Sequence, residues 1–179
     1  MHFTILKADR IMADRFIFFI IFLVLSITLP VLGGCSNKDN TAAHAPEKKI
    51  SQKMSDNSIQ NKILKEFRKW EGTPHKMGGN SKKGIDCSGF AHYMYNKLFN
   101  IKAPRSTKLF LKYGMQIKKD QLYSGDVVIF RPPTYPYHVG IYVGDNKFIH
   151  ASTTKGVMMS DLDNRYWLKA YYMSRRVIP

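Results

Sequence analysis

The chain has 179 residues, of which 44% are hydrophobic and 13% aromatic, enough for one packed core, which excludes a disordered or collagen-like chain. Its 28 Lys and Arg residues against 13 Asp and Glu residues give a net charge of +15, so anionic partners such as phospholipid headgroups or an acidic polymer are plausible. The two cysteines, Cys35 and Cys87, have no second cysteine or histidine at metal-ligand spacing, which argues against a disulfide framework and a zinc knuckle.

Residues 1–34 have the pattern of an export signal. An apolar run over residues 16–32 follows three basic residues, Lys7, Arg10 and Arg15, and this order is typical of a signal peptide. A membrane-spanning helix needs about 20 apolar residues, whereas this run is shorter and interrupted by Pro30. A spanning helix is therefore the alternative to a cleaved signal. Translation could begin at Met1 or at Met12, and the sequence does not distinguish them.

A cysteine follows directly after the predicted export signal. Residues 32–35, Leu-Gly-Gly-Cys, resemble a bacterial lipobox, which implies that Cys35 is lipidated and begins the mature chain. Removing residues 1–34 takes away three basic and two acidic residues, so the charge changes only from +15 to +14. Ser36 at the next position implies an outer-membrane lipoprotein of a Gram-negative cell, facing the periplasm. An ordinary secretory signal with an incidental cysteine stays open as the alternative.

A polar segment separates Cys35 from the first amphipathic pattern. Residues 35–58 show no apolar periodicity and predict a flexible linker behind the lipid anchor. Beyond them, apolar side chains recur at three- and four-residue spacing, which predicts a helix ending near Gly72: Ile59, Ile63, Leu64, Phe67 and Trp70. We therefore expect one folded domain over residues 59–179, a length that suits a single hydrophobic core.

A second predicted helix places Cys87 at a chemically active position. Asp86 is a natural N-cap, so Cys87 falls in the first turn of a helix whose apolar stripe is Phe90, Ala91, Met94, Tyr95 and Leu98. The partial positive charge and free N–H groups of a helix start favour a thiolate and can bind an oxyanion. The alternative is a small buried core cysteine with no chemical role.

The second half of the domain predicts strands. Short segments rich in β-branched and aromatic residues, bounded by turn residues, lie at 127–130, 138–143, 147–153, 156–160 and 171–177. Helices followed by strands with short connections favour an α+β fold with a mostly antiparallel sheet.

The hairpin between the second and third predicted strands has a register that matters for chemistry. A three-residue loop over residues 144–146 pairs Ile141 with Ile149 and keeps one sheet face apolar, whereas a two-residue loop would pair Ile141 with His150 and mix the faces. The three-residue loop places His138 and His150 on one face, diagonally offset on adjacent strands, close enough for their side chains to interact.

These residues suggest nucleophilic catalysis by a thiol. Cys87 would be the nucleophile, His138 the general base, and His150 the group that fixes the tautomer of His138. A free thiol has a pKa of about 8.5, so an imidazole partner and the helix start are needed to hold a thiolate at neutral pH. Each histidine could equally have a purely structural role.

Three segments carry a family resemblance: residues 86–90, Asp-Cys-Ser-Gly-Phe; residues 138–142, His-Val-Gly-Ile-Tyr; and residues 148–152, Phe-Ile-His-Ala-Ser. Together they resemble the NlpC-type cell-wall endopeptidases, a bacterial branch of the papain-like cysteine peptidases, and the similarity extends over about residues 60–179. The resemblance implies a papain-like α+β fold, with N-terminal helices packed on a mostly antiparallel sheet and the nucleophile at a helix N-terminus.

The same resemblance implies an activity and the roles of its residues. The expected reaction is hydrolysis of an amide bond in peptidoglycan stem peptides, at the D-Glu to diaminopimelate link or a nearby one. Cys87 matches the family nucleophile and would form a thioester, His138 matches the base, and His150 matches the third polar residue. We expect no metal and no cofactor, peptidoglycan and the membrane as partners, no nucleic acid, and a monomer.

Four further residues are candidates for substrate contacts. Asp86, Ser88 and Arg105 are expected near the cleft, although Asp86 could act only as a cap and Arg105 only as its ion-pair partner. His75 stands where the family often has a tyrosine before Gly-Gly, so it would have to replace the tyrosine hydroxyl or have no role. This departure leaves two other functions open: a catalytically silent peptidoglycan-binding lipoprotein, or an amidase or acyl transferase of the same fold.

Overall fold

Residues 44–179 are described by the computed structural model, with side chains described from residue 52 onward. The predicted export signal and the lipidation site at Cys35 lie outside the described residues. Within residues 44–179, no helix is both long enough and apolar enough to cross a membrane.

The first helix, α1 (His44–Trp70), begins well before the predicted boundary at residue 59. The prediction of a flexible linker is therefore wrong for residues 44–58. This segment contains three Lys and one each of Ala, Glu, Gln and Met, which are good helix formers, and Pro46 sits in the first turn, where its missing N–H costs nothing. Its side chains from residue 52 to 58 are mostly exposed, which is why they show no apolar periodicity. Only the second half of α1 enters the core, through Ile63, Phe67 and Trp70.

The segment after α1 forms a small hairpin and then the helix that bears the thiol. Strands β1 (Asn80–Ser81) and β2 (Gly84–Ile85) pair antiparallel, and helix α2 (Cys87–Phe99) follows directly. As predicted, Asp86 is the N-cap, and its carboxylate accepts a hydrogen bond from the Gly89 N–H at 2.7 Å. The predicted apolar stripe of α2 is buried, and the helix ends at Asn100, which adopts a left-handed conformation.

The remaining elements build one six-stranded sheet with the order β3-β8-β4-β5-β6-β7. All five pairs of neighbouring strands in this sheet are antiparallel. The elements in chain order are α3 (Thr107–Phe110), β3 (Met115–Ile117), a 3₁₀ turn (Lys119–Gln121), β4 (Val127–Phe130), β5 (His138–Tyr142), β6 (Lys147–Ser152), β7 (Gly156–Asp161), α4 (Arg165–Ala170) and β8 (Tyr171–Arg176). The five predicted strands are confirmed; the short edge strand β3 and the one-and-a-half-turn helix α4 were missed.

The sheet has a different apolar layer on each face. On one face, Val127, Ile129, Val139 and Ile141 pack with the buried side chains of α1 and α2. On the other face, Val128, Phe130 and Phe148 form a smaller cluster with Leu162 and the α4 residue Trp167. Because adjacent residues of a strand point to opposite faces, each strand buries side chains on both sides. The helices α1 and α2 therefore cover one face, and α4 covers part of the other.

The β5–β6 hairpin has the register expected from the apolar pattern. Ile141 pairs with Ile149 and Tyr142 with Phe148, and the Val143 N–H donates to the Lys147 carbonyl at 2.9 Å. The turn is thus the three-residue one, and all three of its residues have positive φ: Gly144, Asp145 and Asn146. Glycine and asparagine tolerate this conformation better than other residues. The turn fixes which residues of β5 and β6 share a face.

Candidate active site

Cys87 is the first residue of α2 and carries a free, partly buried thiol. Its Sγ lies 3.7 Å from the Thr107 Oγ1 at the start of α3. Burial raises the pKa of the Cys87 thiol, while hydrogen bonds from the Val139 backbone, Thr107 and the Ser88 backbone act in the opposite direction. The surroundings thus oppose a resting thiolate but supply donors that stabilise one once it forms.

His138 and His150 form the predicted pair. The Nε2 of His138 lies 2.9 Å from the Nδ1 of His150, and the side chains are almost fully buried, with 5% and 1% of their surface exposed. The Nε2 of His150 is in turn 3.0 Å from the Ser160 Oγ on β7. This chain of contacts leaves the Nδ1 of His138 as the ring nitrogen available to the thiol.

The imidazoles are held in their neutral form. Burial, with a smaller contribution from the charge of His75, lowers the pKa of His138 from 6.5 to about 4. Burial also lowers the pKa of His150 well below its ordinary value, and His138 adds to this effect. These directions do not support the expectation that an imidazole partner holds the Cys87 thiolate at neutral pH before substrate arrives. At neutral pH the site favours a thiol beside a neutral base, so the proton moves during the reaction.

Two cavities meet at His138. One, of about 520 Å³, is lined by Cys87, His138 and His75 together with Asp86, Ser88 and Thr107. The other, of about 460 Å³, is lined by His138, His150, Ser160 and Trp167. Tyr135, His138 and Thr153 border both cavities. His138 thus stands where the two cavities join. The Cys87 thiol borders one cavity, and the pair of His138 and His150, called the imidazole relay below, borders the other.

The predicted substrate contacts Asp86, Ser88 and Arg105 are bonded to one another. One Asp86 carboxylate oxygen accepts from the Arg105 guanidinium at 2.7 Å and from the Ser88 hydroxyl at 2.9 Å, and the other accepts from the Gly78 N–H at 2.8 Å. Burial alone would raise the pKa of Asp86, but the hydrogen bonds from Arg105, Gly89 and Ser88 lower it overall. Asp86 therefore acts as a cap and ion-pair partner that braces the start of α2.

Arg105 also fixes the loop that borders the cleft. Its guanidinium donates to the Gly79 carbonyl at 2.6 Å, and a side chain at Gly89 would collide with it. About a third of the Arg105 side chain, 37%, stays exposed, beside a shallow depression that it shares with Met77 and Thr107. The network thus holds α2 and the loop together and leaves one face of Arg105 toward the cleft.

His75, at the position where the resemblance led us to expect a tyrosine, lies in the thiol cavity. Its backbone makes an isolated bridge to Ile85, and its side chain is partly buried. It lines this cavity together with His138, and its charge is the second cause of the lowered pKa of His138. His75 can therefore donate a ring N–H into the same cavity that holds the nucleophile.

Sequence reasoning missed three residues of the site: Thr107, Ser160 and Trp167. Trp167 on α4 packs against both catalytic-site imidazoles, with ring centroids 5.3 Å from His138 and 4.9 Å from His150. Strand alternation could have indicated Ser160, because Ser160 pairs with Phe148 and so lies diagonally to His150. Within the part of the chain that the structure describes, no cluster of three or more His, Cys, Asp or Glu could hold a metal ion.

A thiol at a helix start that shares a cleft with a buried imidazole pair on an antiparallel sheet defines a cysteine hydrolase of the papain-like class. The profile of the NlpC/P60 family matches residues 72–176, and this chain belongs to that family.

Known relatives agree with this assignment. The chain is 40% identical over 158 residues to the probable endopeptidase NlpC of Escherichia coli K12, across 87% of this chain and 99% of that protein. It is 35% identical over 140 residues to the murein DD-endopeptidase MepS/murein LD-carboxypeptidase of the same strain, across 78% of this chain and 74% of the relative. Among solved structures, an NlpC/P60 family protein from Bacillus cereus aligns with a TM-score of 0.61 at 27% identity, over 67% of this chain and 40% of that one. The papain-like α+β fold expected from the sequence is confirmed.

Proposed function

We propose that this protein is a lipid-anchored cysteine endopeptidase that hydrolyses amide bonds in the stem peptides of peptidoglycan. The observation that carries the proposal is the 2.9 Å contact between the imidazoles of His138 and His150, on a cleft that also holds the Cys87 thiol. Membership of the NlpC/P60 family and relatives named as murein endopeptidases support peptidoglycan as the substrate.

The first chemical step forms a thioester. As the thiol of Cys87 attacks the scissile carbonyl carbon, its proton moves to the Nδ1 of His138, and the carbonyl oxygen becomes an oxyanion. The C–N bond then breaks, and His138 returns the proton to the leaving amine. Because burial keeps both imidazoles neutral, the base is ready to accept this proton at neutral pH.

The second step releases the acyl half of the substrate. Water attacks the thioester carbon while His138 takes one of its protons, and collapse of the intermediate returns the proton to the Cys87 sulfur. The free backbone N–H at the start of α2 is placed to stabilise the oxyanion in both steps. His75 is a second donor of the same cavity, in the role that a tyrosine hydroxyl would otherwise have.

The test is product identification with the full-length chain in detergent. Purified sacculi and defined muropeptides are incubated with the wild-type protein and with Cys87→Ala, and the products are identified by mass spectrometry. We expect cleavage by the wild type and none by Cys87→Ala. Circular dichroism confirms that both proteins are folded. Binding to sacculi by both proteins without any product would instead support a silent peptidoglycan-binding lipoprotein.

The scissile bond is proposed as the D-Glu to diaminopimelate link or its neighbour. One relative is named both a DD-endopeptidase and an LD-carboxypeptidase, so the substrate set includes muropeptides with a DD bond and with an LD bond. The masses of the two fragments name the bond directly. Transfer of the acyl group to an added amine, rather than to water, would identify an acyl transferase.

Lipid anchoring at Cys35 rests on the sequence of residues 32–35, Leu-Gly-Gly-Cys. The mature charge of +14 favours contact with an anionic membrane surface. The test is expression with labelled palmitate followed by separation of inner and outer membranes on a density gradient. We expect label and protein in the outer-membrane fraction, and neither in that fraction for Cys35→Ala. Label in the inner membrane would overturn the proposed location. Protein without label would overturn the proposed lipid anchor.

A further inference from the structure

The relay behind the thiol does not end at its second histidine. The Nε2 of His150 lies 3.0 Å from the Ser160 hydroxyl, on the neighbouring strand β7, where Ser160 pairs with Phe148. We propose that Ser160 is a positioning residue that sets the tautomers of His150 and His138 and so makes the base able to accept the proton of Cys87. This inference rests on the proposed cysteine-peptidase mechanism.

The argument follows the protons through the two neutral rings. A neutral imidazole carries one N–H and one bare nitrogen. If the Nδ1 of His138 is to accept the thiol proton, it must be bare, so the N–H of His138 is at Nε2 and donates to the Nδ1 of His150. The N–H of His150 is then at its own Nε2 and needs an acceptor, which is the Ser160 oxygen.

The opposite arrangement is unproductive. If the Ser160 hydroxyl donated to the Nε2 of His150, the N–H of His150 would lie at Nδ1 and donate to the Nε2 of His138. His138 would then carry its own proton at Nδ1, on the side of the thiol, and that nitrogen would have no lone pair to accept the thiol proton. The direction of the Ser160 hydrogen bond therefore decides whether a bare nitrogen of His138 faces the thiol.

The surroundings of Ser160 support the productive direction. Ser160 lines the 460 Å³ cavity together with Asn164 and Lys155, and its side chain is only partly buried. Its hydroxyl hydrogen can therefore point into the cavity while its oxygen accepts from His150. An alanine at this position would leave the buried N–H of His150 without an acceptor. Burying an unpaired N–H costs more free energy than burying a bare ring nitrogen without a donor. The proton of His150 would move to Nδ1, and the relay would reverse.

The chain offers conservative and matched control variants. Ser160→Thr keeps the hydroxyl and adds a β-branch that a strand tolerates. Ser174→Ala removes a buried hydroxyl that lies 2.6 Å from the Tyr171 hydroxyl on β8, so it costs one hydrogen bond in the same sheet without touching either imidazole. Ser160→Ala is compared with both in the full-length protein.

Two measurements decide the proposal. With a defined muropeptide, we expect kcat of Ser160→Ala to fall about tenfold or more with KM changed less than about twofold, because a wrong imidazole tautomer costs up to about 10⁴-fold in serine hydrolases. Ser160→Thr should recover most of kcat, and Ser174→Ala should match the wild type. In ¹⁵N spectra of histidine-labelled protein, we expect the N–H of His150 at Nε2 in the wild type and at Nδ1 in Ser160→Ala.

The proposal is overturned if kcat of Ser160→Ala equals that of Ser174→Ala, or if the wild-type N–H of His150 is at Nδ1. The spectra need no substrate. If the wild type cleaves no muropeptide, the proposed function fails, while the ¹⁵N spectra still decide whether Ser160 sets the tautomer.

Discussion

The indole ring of Trp167 lies 5.3 Å from the imidazole of His138, measured between ring centroids, and covers it from the side opposite the core helices. The same indole is 4.9 Å from His150. One side chain of the short helix α4 therefore covers part of both imidazoles. This cover contributes to the burial of His138, which is the largest cause of its low pKa.

Trp167→Ala should raise the pKa of His138 from about 4 toward its ordinary value of 6.5, because water regains access to the ring. The same change should slow muropeptide cleavage at a pH of about 6, where a ring with its ordinary pKa is mostly charged and cannot accept the thiol proton. The pKa is measured by NMR titration of the histidine ring protons. Trp167→Phe, which keeps an aromatic cover, should leave both quantities near the wild type. A pKa of His138 that stays near 4 in Trp167→Ala would contradict this account.

Acid should destabilise the protein over a defined pH range. The pKa of His138 is lowered from 6.5 to about 4 in the folded protein, so between these values the unfolded chain binds more protons and the free energy of unfolding rises with pH. The contribution of His138 is present in full above pH 6.5 and is lost as the pH falls toward 4. It amounts to roughly 3 kcal/mol.

The measurement is urea unfolding at a pH of about 7.5 and about 4.5, the two sides of this range. His138→Gln should show a smaller loss of stability on acidification than the wild type. His92→Gln is the control, because the His92 ring lies on α2 away from the relay and contacts the Ala103 carbonyl. An equal loss of stability in wild type and His138→Gln would show that the pair is not the acid-sensitive element.

Asp86→Ala should destabilise the fold by about 2 kcal/mol, because it removes the helix cap and the partly exposed ion pair with Arg105. Asp86→Asn, which can still accept from the Gly89 N–H, should lose less. An exposed pair serves for comparison: Asp161→Ala removes the contact with Lys147 and should cost under about 1 kcal/mol. Thermal and urea unfolding give these values. If Asp86→Ala costs no more than Asp161→Ala, the Asp86 network does not brace α2.

The first half of α1 should contribute to stability although its side chains are mostly exposed. The Asp56 carboxylate accepts from the Ser124 N–H at 2.6 Å, and the Gln60 amide donates to the Val143 carbonyl at 2.6 Å. Asp56→Ala should therefore lower the free energy of unfolding by about 1 kcal/mol. Asp120→Ala, at an exposed position, should change it by less than about 0.5 kcal/mol. Equal effects of the two changes would mean that α1 docks only through its apolar residues.

The thiol helix and the histidine hairpin were predictable because each depends on local chemistry. An acidic N-cap before an apolar stripe places Cys87, and the need to keep Ile141 and Ile149 on one face selects the turn that brings His138 and His150 together. Apolar periodicity does not predict an element whose side chains are mostly exposed. Residues 44–58 form a helix from intrinsic propensity and a few polar contacts, and apolar periodicity does not report such a helix.

The rest of the site comes from contacts between distant segments. Trp167 reaches the imidazoles only because α4 folds back over the sheet, and the short Arg165–Ala170 helix is too brief for a periodic signal. The position of Ser160 beside His150 depends on the β6–β7 register, and the connection over residues 152–156 is compatible with more than one register. Asp86, Ser88 and Arg105 were expected near the cleft, but only their mutual hydrogen bonds show that much of their polar capacity is used within the protein.

The most direct test of the central claim is to trap the acyl-enzyme. Full-length protein is mixed with a defined muropeptide, quenched in acid during the first turnover, and its intact mass and peptide map are recorded. We predict a mass increase equal to the acyl half of the substrate, located on the peptide that contains Cys87 and absent from Cys87→Ala. Product that accumulates without any adduct, and that also forms with Cys87→Ala, would contradict a thioester mechanism at this site.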